Sequence, residues 1–153
     1  MTVEAASADE GAEKGEKMKV VLDEGAYKPT RAHEWDAGLD LRTPKRFVLH
    51  QHDSAVIDTG VHVEIPVGYV GILKAKSGLN VKHDITGTGT IDAGYTGSIR
   101  VKLYNHGYMD YVFQPGDKII QLVILPIIVP VIEVVDHLEE TERGSNGFGS
   151  SGR

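Results

Sequence analysis

Five short clusters along this 153-residue chain combine residue types able to do chemistry. The last of them is Arg143-Gly144-Ser145-Asn146-Gly147-Phe148-Gly149-Ser150-Ser151-Gly152-Arg153. Its glycines let the backbone bend round an anion, which N–H groups, hydroxyls and guanidinium forks can then hold. It is not a Walker loop, because no Gly-Lys-Ser/Thr stands at the required spacing. The bland alternative is a mobile tail with incidental arginines. Phe148 weighs against it: flanked by glycines, it has nothing local to pack on and is free to stack on a ring.

The second cluster runs Gly87-Thr88-Gly89-Thr90-Ile91-Asp92-Ala93-Gly94-Tyr95-Thr96-Gly97. Its glycines let the backbone turn and approach another group closely. Asp92 ends this hairpin-like segment and reads two ways. It is a general base with Tyr95 as a wall or gate, or it caps a turn beside a half-buried tyrosine. The third cluster, Lys76-Ser77-Gly78, joins an ammonium and a hydroxyl at the start of a short helix, a combination that favours phosphate; Ser77 alone reads as an N-cap. In the fourth, Asp40 lies between Leu39 and Leu41, either holding a metal-bound water or bonding buried turn amides. In the fifth, Gln121 sits on an otherwise apolar strand and either bonds backbone or points into a site. Seven histidines are scattered; His50 and His52 share a predicted strand face, with no carboxylate placed to complete a zinc set.

The elements that must position these residues are strands. Val61, Val63 and Ile65 alternate with His62 and Glu64, and Ile99, Val101 and Leu103 alternate with Arg100, Lys102 and Tyr104. Period two buries one face and leaves the other polar. Phe47–Leu49 and Ala55–Ile57 are shorter runs, and turn signals recur at short spacing, as all-β sandwiches, jelly rolls and barrels require. One short helix is expected over Gly78–His83. The β-branched stretch Ile127–Val135 is too apolar for a half-exposed strand and is expected to be buried on both faces, in the core or a subunit interface. Residues 1–17 cannot offset their ordering entropy and are expected to be a disordered acidic segment. The folded domain then spans 18–142, and 143–153 form a mobile arm.

Composition narrows the classes. Without cysteine there is no disulfide, thiolate zinc site or cysteine nucleophile. A net charge of −6 argues against direct nucleic-acid binding while permitting a small anionic ligand. No signal peptide or membrane span is legible, so the expected setting is cytoplasmic.

Together, in this order, the clusters resemble the five motifs of the trimeric deoxyuridine triphosphatases. Asp36–Leu41, Lys76–Leu79, Gly89–Gly97, Gly116–Leu122 and Arg143–Gly152 correspond to motifs one to five. Lys76 stands where arginine is commonest, and Asn146 where glycine is. The resemblance implies a jelly-roll-like β domain with one short helix, assembled as a homotrimer whose active sites are shared between chains. It implies hydrolysis of dUTP to dUMP and pyrophosphate, with Asp92 activating water and Mg²⁺ bridging the phosphates. Asp40 would reach the metal only through water. The Gly89-Thr90-Ile91 backbone would read uracil and Tyr95 would pack on the sugar. Lys76, Ser77, Gly78, Gln121, Arg143, Gly149 and Ser150 would hold phosphates, Phe148 would stack on the base, and Thr86 and Arg100 would flank the substrate. The rival readings are a nucleotide-sensing regulatory trimer and a dCTP deaminase-like relative.

Overall fold

The computed structural model describes residues 17–152; the expected disordered segment therefore lies almost wholly outside the described residues. Ten strands and one helix follow in chain order: β1 Val20–Leu22, β2 Gly38–Arg42, β3 Phe47–Leu49, β4 Ser54–Asp58, β5 Val61–Val63, β6 Tyr69–Lys74, α1 Ser77–His83, β7 Ile85–Ile91, β8 Arg100–Asn105, β9 Tyr111–Phe113 and β10 Lys118–Pro126. A six-stranded antiparallel sheet in the order β2-β10-β6-β7-β8-β4 curls round the core, with two-stranded ladders β1-β5 and β3-β9 beside it. The result is the expected all-β, jelly-roll-like architecture.

Alternation does what period two demands. Ile99, Val101 and Leu103 are fully buried while Arg100, Lys102 and Tyr104 are exposed. Val61, Val63 and Ile65 join them beneath β6 and β10, where Leu73, Ile119, Ile120 and Leu122 complete the core with Phe113. Burying a Leu, Ile or Phe side chain is worth about 1.5–3 kcal/mol, so this set supplies much of the driving force. Met18 packs on its edge.

β7 changes partners. Ile85, Thr86 and Gly87 pair with Asn105, Tyr104 and Leu103 of β8, whereas Thr88 to Ile91 pair with Lys74 to Gly71 of β6. The β7-β8 hairpin therefore opens beyond Gly87, leaving a mouth crowned by residues 92–99.

Two expectations are corrected. Ile127–Val135 forms no strand here; Ile128, Val131 and Val134 are 87%, 96% and 93% exposed. The alternation-free run finds no second layer within its own chain. His50 and His52 are not strand partners but lie at a turn, His50 against Asp110 at 3.0 Å and His52 edge-on to Tyr108. No helix among the described residues is long and apolar enough to cross a membrane.

Candidate active site

Three of the five clusters converge at one end of the large sheet. β10 runs between β2 and β6, and its register sets Gln121 opposite Asp40 on one side and Lys74 on the other. Lys118 and Gln121 are three residues apart and would face opposite sides of a regular strand. A bulge between Lys118 and Ile120 reconciles them: two residues of β10 oppose one of β2, so Lys118 turns onto the Gln121 face. Both Ile119 and Ile120 are consequently buried in succession.

Asp40 is 3% exposed. Lys76 bonds one of its carboxylate oxygens, and Lys118 Nζ lies 2.9 Å from the other. Burial alone pushes this carboxyl up, but the hydrogen bonds and charges of Lys76 and Lys118 together outweigh it and hold it below the usual carboxylate value. The Asp40 side chain thus serves two ammonium groups rather than turn amides. Gln121 donates from Nε2 to the Ala75 carbonyl at 3.2 Å. A Cβ on Gly38 would fall 2.1 Å from Gln121 Oε1, so glycine there makes room for the amide. The sequence missed Lys118, whose facing depends on the bulge.

Helix α1 begins at Ser77, with Lys76 at the N-cap and no side-chain capping bond. Ser77 is therefore not a cap; its side chain is exposed beside Lys76. A Cβ on Gly78 would meet nothing within 4 Å, so packing inside this chain does not demand glycine there.

The second cluster departs from its expected form. Gly87 and Gly89 sit within β7, where a Cβ would meet Leu103 at 2.9 Å and Leu73 at 3.0 Å. These glycines admit core side chains of neighbouring strands. What the strand offers a ligand is its edge: beyond Gly87 the ladder continues only to β6, and alternate peptide groups of residues 88–91 face the open mouth. Asp92 follows, exposed, and no ion pair among the described residues engages its carboxylate. Its carbonyl accepts the Tyr95 N–H at 3.0 Å. The Tyr95 ring folds back over Gly97, and its hydroxyl donates to the Ser98 carbonyl at 2.9 Å.

Two residues outside every cluster brace this turn. Asp58 accepts the Ser98 hydroxyl and the Gly60 N–H, which lower its pKa in that order. His62 contacts the Thr96 carbonyl at 2.8 Å through Nδ1 and Asp23 at 3.0 Å through Nε2. Only their position on strands adjoining the turn reveals them. Of the flanking candidates, Arg100 lies 3.8 Å from Asp58, and Thr86 Oγ1 lies 3.0 Å from His106 Nε2.

The β6-β7 pair separates the two constellations. Lys76 lies beyond the Lys74 end and Asp92 beyond the Ile91 end, which at about 3.3 Å per residue sets them roughly 15–20 Å apart. The arm joins neither. Arg143 Nε donates to the Asn146 carbonyl at 3.0 Å, Ser150 N–H to the Gly147 carbonyl at 3.1 Å, and Phe148 is fully exposed at a φ of 51°. Its concavity is lined by residues of the 141–151 segment alone.

The site is thus a curled antiparallel β domain with a lysine-bearing rim and a separate carboxylate-bearing turn. The family model described as dUTPase matches residues 25–152, and the chain belongs to that family. The deoxyuridine 5'-triphosphate nucleotidohydrolase of Clostridium acetobutylicum is 41% identical over 134 residues, covering 86% of this chain and 92% of that one. The dUTPase of Staphylococcus bacteriophage 80alpha with dUPNHPP superposes with a TM-score of 0.86 at 34% identity, over 91% of this chain and 100% of that one. A point mutant of the dUTPase from phage phi11 of S. aureus, described with a structural Mg(II) ion, gives 0.76 at 34% identity, over 82% and 100%.

Proposed function

We propose that this chain hydrolyses dUTP to dUMP and pyrophosphate in sites that several copies build together. Family membership carries the reaction. The sharing is supported by one observation: the lysine-bearing rim and the Asp92 turn sit at opposite ends of the β6-β7 pair. A homotrimer sets one chain's rim against another's turn, covers Ile127–Val135, and brings the arm of a third chain over both.

In that site the backbone edge of residues 88–91 reads the donor and acceptor pattern of uracil. Cytosine presents the opposite pattern and would leave buried groups unpaired. Tyr95 packs on the sugar and leaves no room for a 2'-hydroxyl. Lys76, Ser77, Gly78 and Gln121 hold phosphates, and Asp40 keeps the ammonium groups of Lys76 and Lys118 in place. Asp92, exposed and free of ion pairs, removes a proton from the water that attacks the α-phosphorus. A placed base contributes about 10²–10⁴-fold. Arg143, Gly149 and Ser150 close on the phosphates and Phe148 on the base.

The family uses Mg²⁺, but these side chains do not form a cage for it. Among the described residues no three His, Cys, Asp or Glu side chains gather as a metal site, and Asp40 is taken by two lysines. What the chain supplies is therefore proton transfer and charge stabilisation.

Mixed trimers test the sharing. Asp92→Asn and Gln121→Ala chains, each nearly inactive alone, are mixed, unfolded and refolded together. Sites that draw the turn from one chain and the rim from another regain dUTP turnover. No recovery in trimers confirmed to be mixed would refute the shared site. The phage 80alpha protein is also described as controlling transfer of virulence genes; the sensing alternative acquires no residue-level support in this chain.

A further inference from the structure

The turn that carries Asp92 and Tyr95 is tied down by His62 in a way that fixes the state of its ring. Nδ1 lies 2.8 Å from the Thr96 carbonyl oxygen and Nε2 lies 3.0 Å from Asp23 Oδ1. A carbonyl oxygen and a carboxylate oxygen only accept. Both contacts are hydrogen bonds only if both ring nitrogens carry protons, because a neutral imidazole has a single N–H. We propose that His62 is a positioning residue for dUTP hydrolysis: as an imidazolium it clips the Asp92–Ser98 turn to Asp23, and its deprotonation releases one end of the clip.

The surroundings are built for this. Asp23 is itself held, its N–H donating to the Gly60 carbonyl at 2.9 Å. Gly60 in turn donates to Asp58, which also accepts the Ser98 hydroxyl, so the turn is anchored from β4 as well as from β5. Charged groups near the ring are Asp23 at the end of β1, Asp58 of β4, Arg100 of β8 and the pair Lys19–Glu64. Lys19 and Glu64 lie 3.3 Å apart and largely cancel. Arg100 lies toward Asp58. The Thr96 bond and then the Asp23 bond raise the His62 pKa above its ordinary value of 6.5, against a smaller opposing effect of burial. A raised value means that the clip is complete below pH 6.5 and is lost as pH rises through the raised value.

This inference rests on reading the turn as the catalytic one, and its test separates the two ideas. The full-length protein is compared with H62Q and D23N by dUTP turnover across pH 6–9, by equilibrium binding of a non-hydrolysable dUTP analogue, and by ¹⁵N resonances of the histidine rings. The expected wild type shows His62 doubly protonated at pH 6, with turnover falling on the alkaline side in step with that ring's titration. H62Q lowers kcat about three- to tenfold, less than the ~10²-fold that a full ångström of misplacement costs. It loses the alkaline fall and leaves analogue binding within about threefold. D23N keeps the Thr96 bond and shifts the alkaline limb to lower pH. A neutral His62 at pH 6, or an H62Q profile that retains the wild-type alkaline limb, overturns the clip. Asp92→Asn that keeps turnover overturns the catalytic reading beneath it, by a result H62Q cannot produce.

Discussion

Asp40, in the middle of β2, and Asp92, just past the end of β7, belong to one sheet and sit in opposite settings. Asp40 is buried, and two lysines occupy its oxygens. Asp92 is exposed on a turn and has no ion-pair partner among the described residues. A carboxylate matched by two ammonium groups is costly to protonate. One in open solvent at the mouth of a hairpin is available as a base. Under the proposed reading the chain keeps the same functional group for two uses, one to hold charge in place and one to move a proton, and burial decides which.

The contrast breaks first at Asp92. Asp92→Asn, nearly isosteric, is expected to lower turnover about 10²–10⁴-fold while the melting temperature and analogue binding hold. Pyrophosphate release and calorimetry read both; a variant above a tenth of wild-type turnover would make Asp92 no base. Truncation after Glu142 comes next. The rim and the turn both survive, but under the proposed reading uracil loses Phe148 and the phosphates lose Arg143. Aromatic stacking is worth about 1–3 kcal/mol per base, so a loss of roughly ten- to a hundredfold in turnover is expected, larger than the loss in binding. Unchanged turnover in a truncated protein of unchanged assembly state would reduce the arm to a tail.

Asp40→Asn should have the smallest effect on the chemistry and a distinct effect on the fold. Breaking a buried pair costs about 3–5 kcal/mol; Lys76 and Lys118 are partly solvated, so about 2–3 is expected, seen as a melting temperature lower by roughly 5–10 °C at pH 7. Asp40 has a lowered pKa, so its contribution is present above the ordinary value of 3.8 and is lost as pH falls through the lowered one. The variant should therefore lose less stability than wild type on acidification. A variant with wild-type melting at pH 7 would show that the triad holds nothing.

Much of this is legible in the residues alone. The alternating runs at 61–65 and 99–104 give strands with the right faces inward, because burial on one side is all that period two encodes. The five clusters name Asp92, Lys76 and Gln121. Lys118 stays hidden because a strand pattern assumes regular pleating, and a bulge reverses its side. His62 and Asp58 stay hidden because their task is set by what lies across the sheet. The glycines at 87 and 89 read as a close approach to another group without naming it, and that group proves to be Leu103 and Leu73; spacing shows that a side chain is missing, not what takes its place.

The exposed strip after β10 bears on how the protein survives its own synthesis. The folded chain on its own presents Ile127, Ile128, Val129, Val131, Ile132, Val134 and Val135 to water. Such a run is a template for edge-to-edge stacking with its own kind. Pro126 and Pro130 interrupt it at both ends of its first half, and each removes an N–H that a growing ladder would need. They deny the strip the continuous backbone that an aggregate extends along. Replacing them would be felt least in the purified enzyme and most in a crowded cell, as yield lost to insoluble protein.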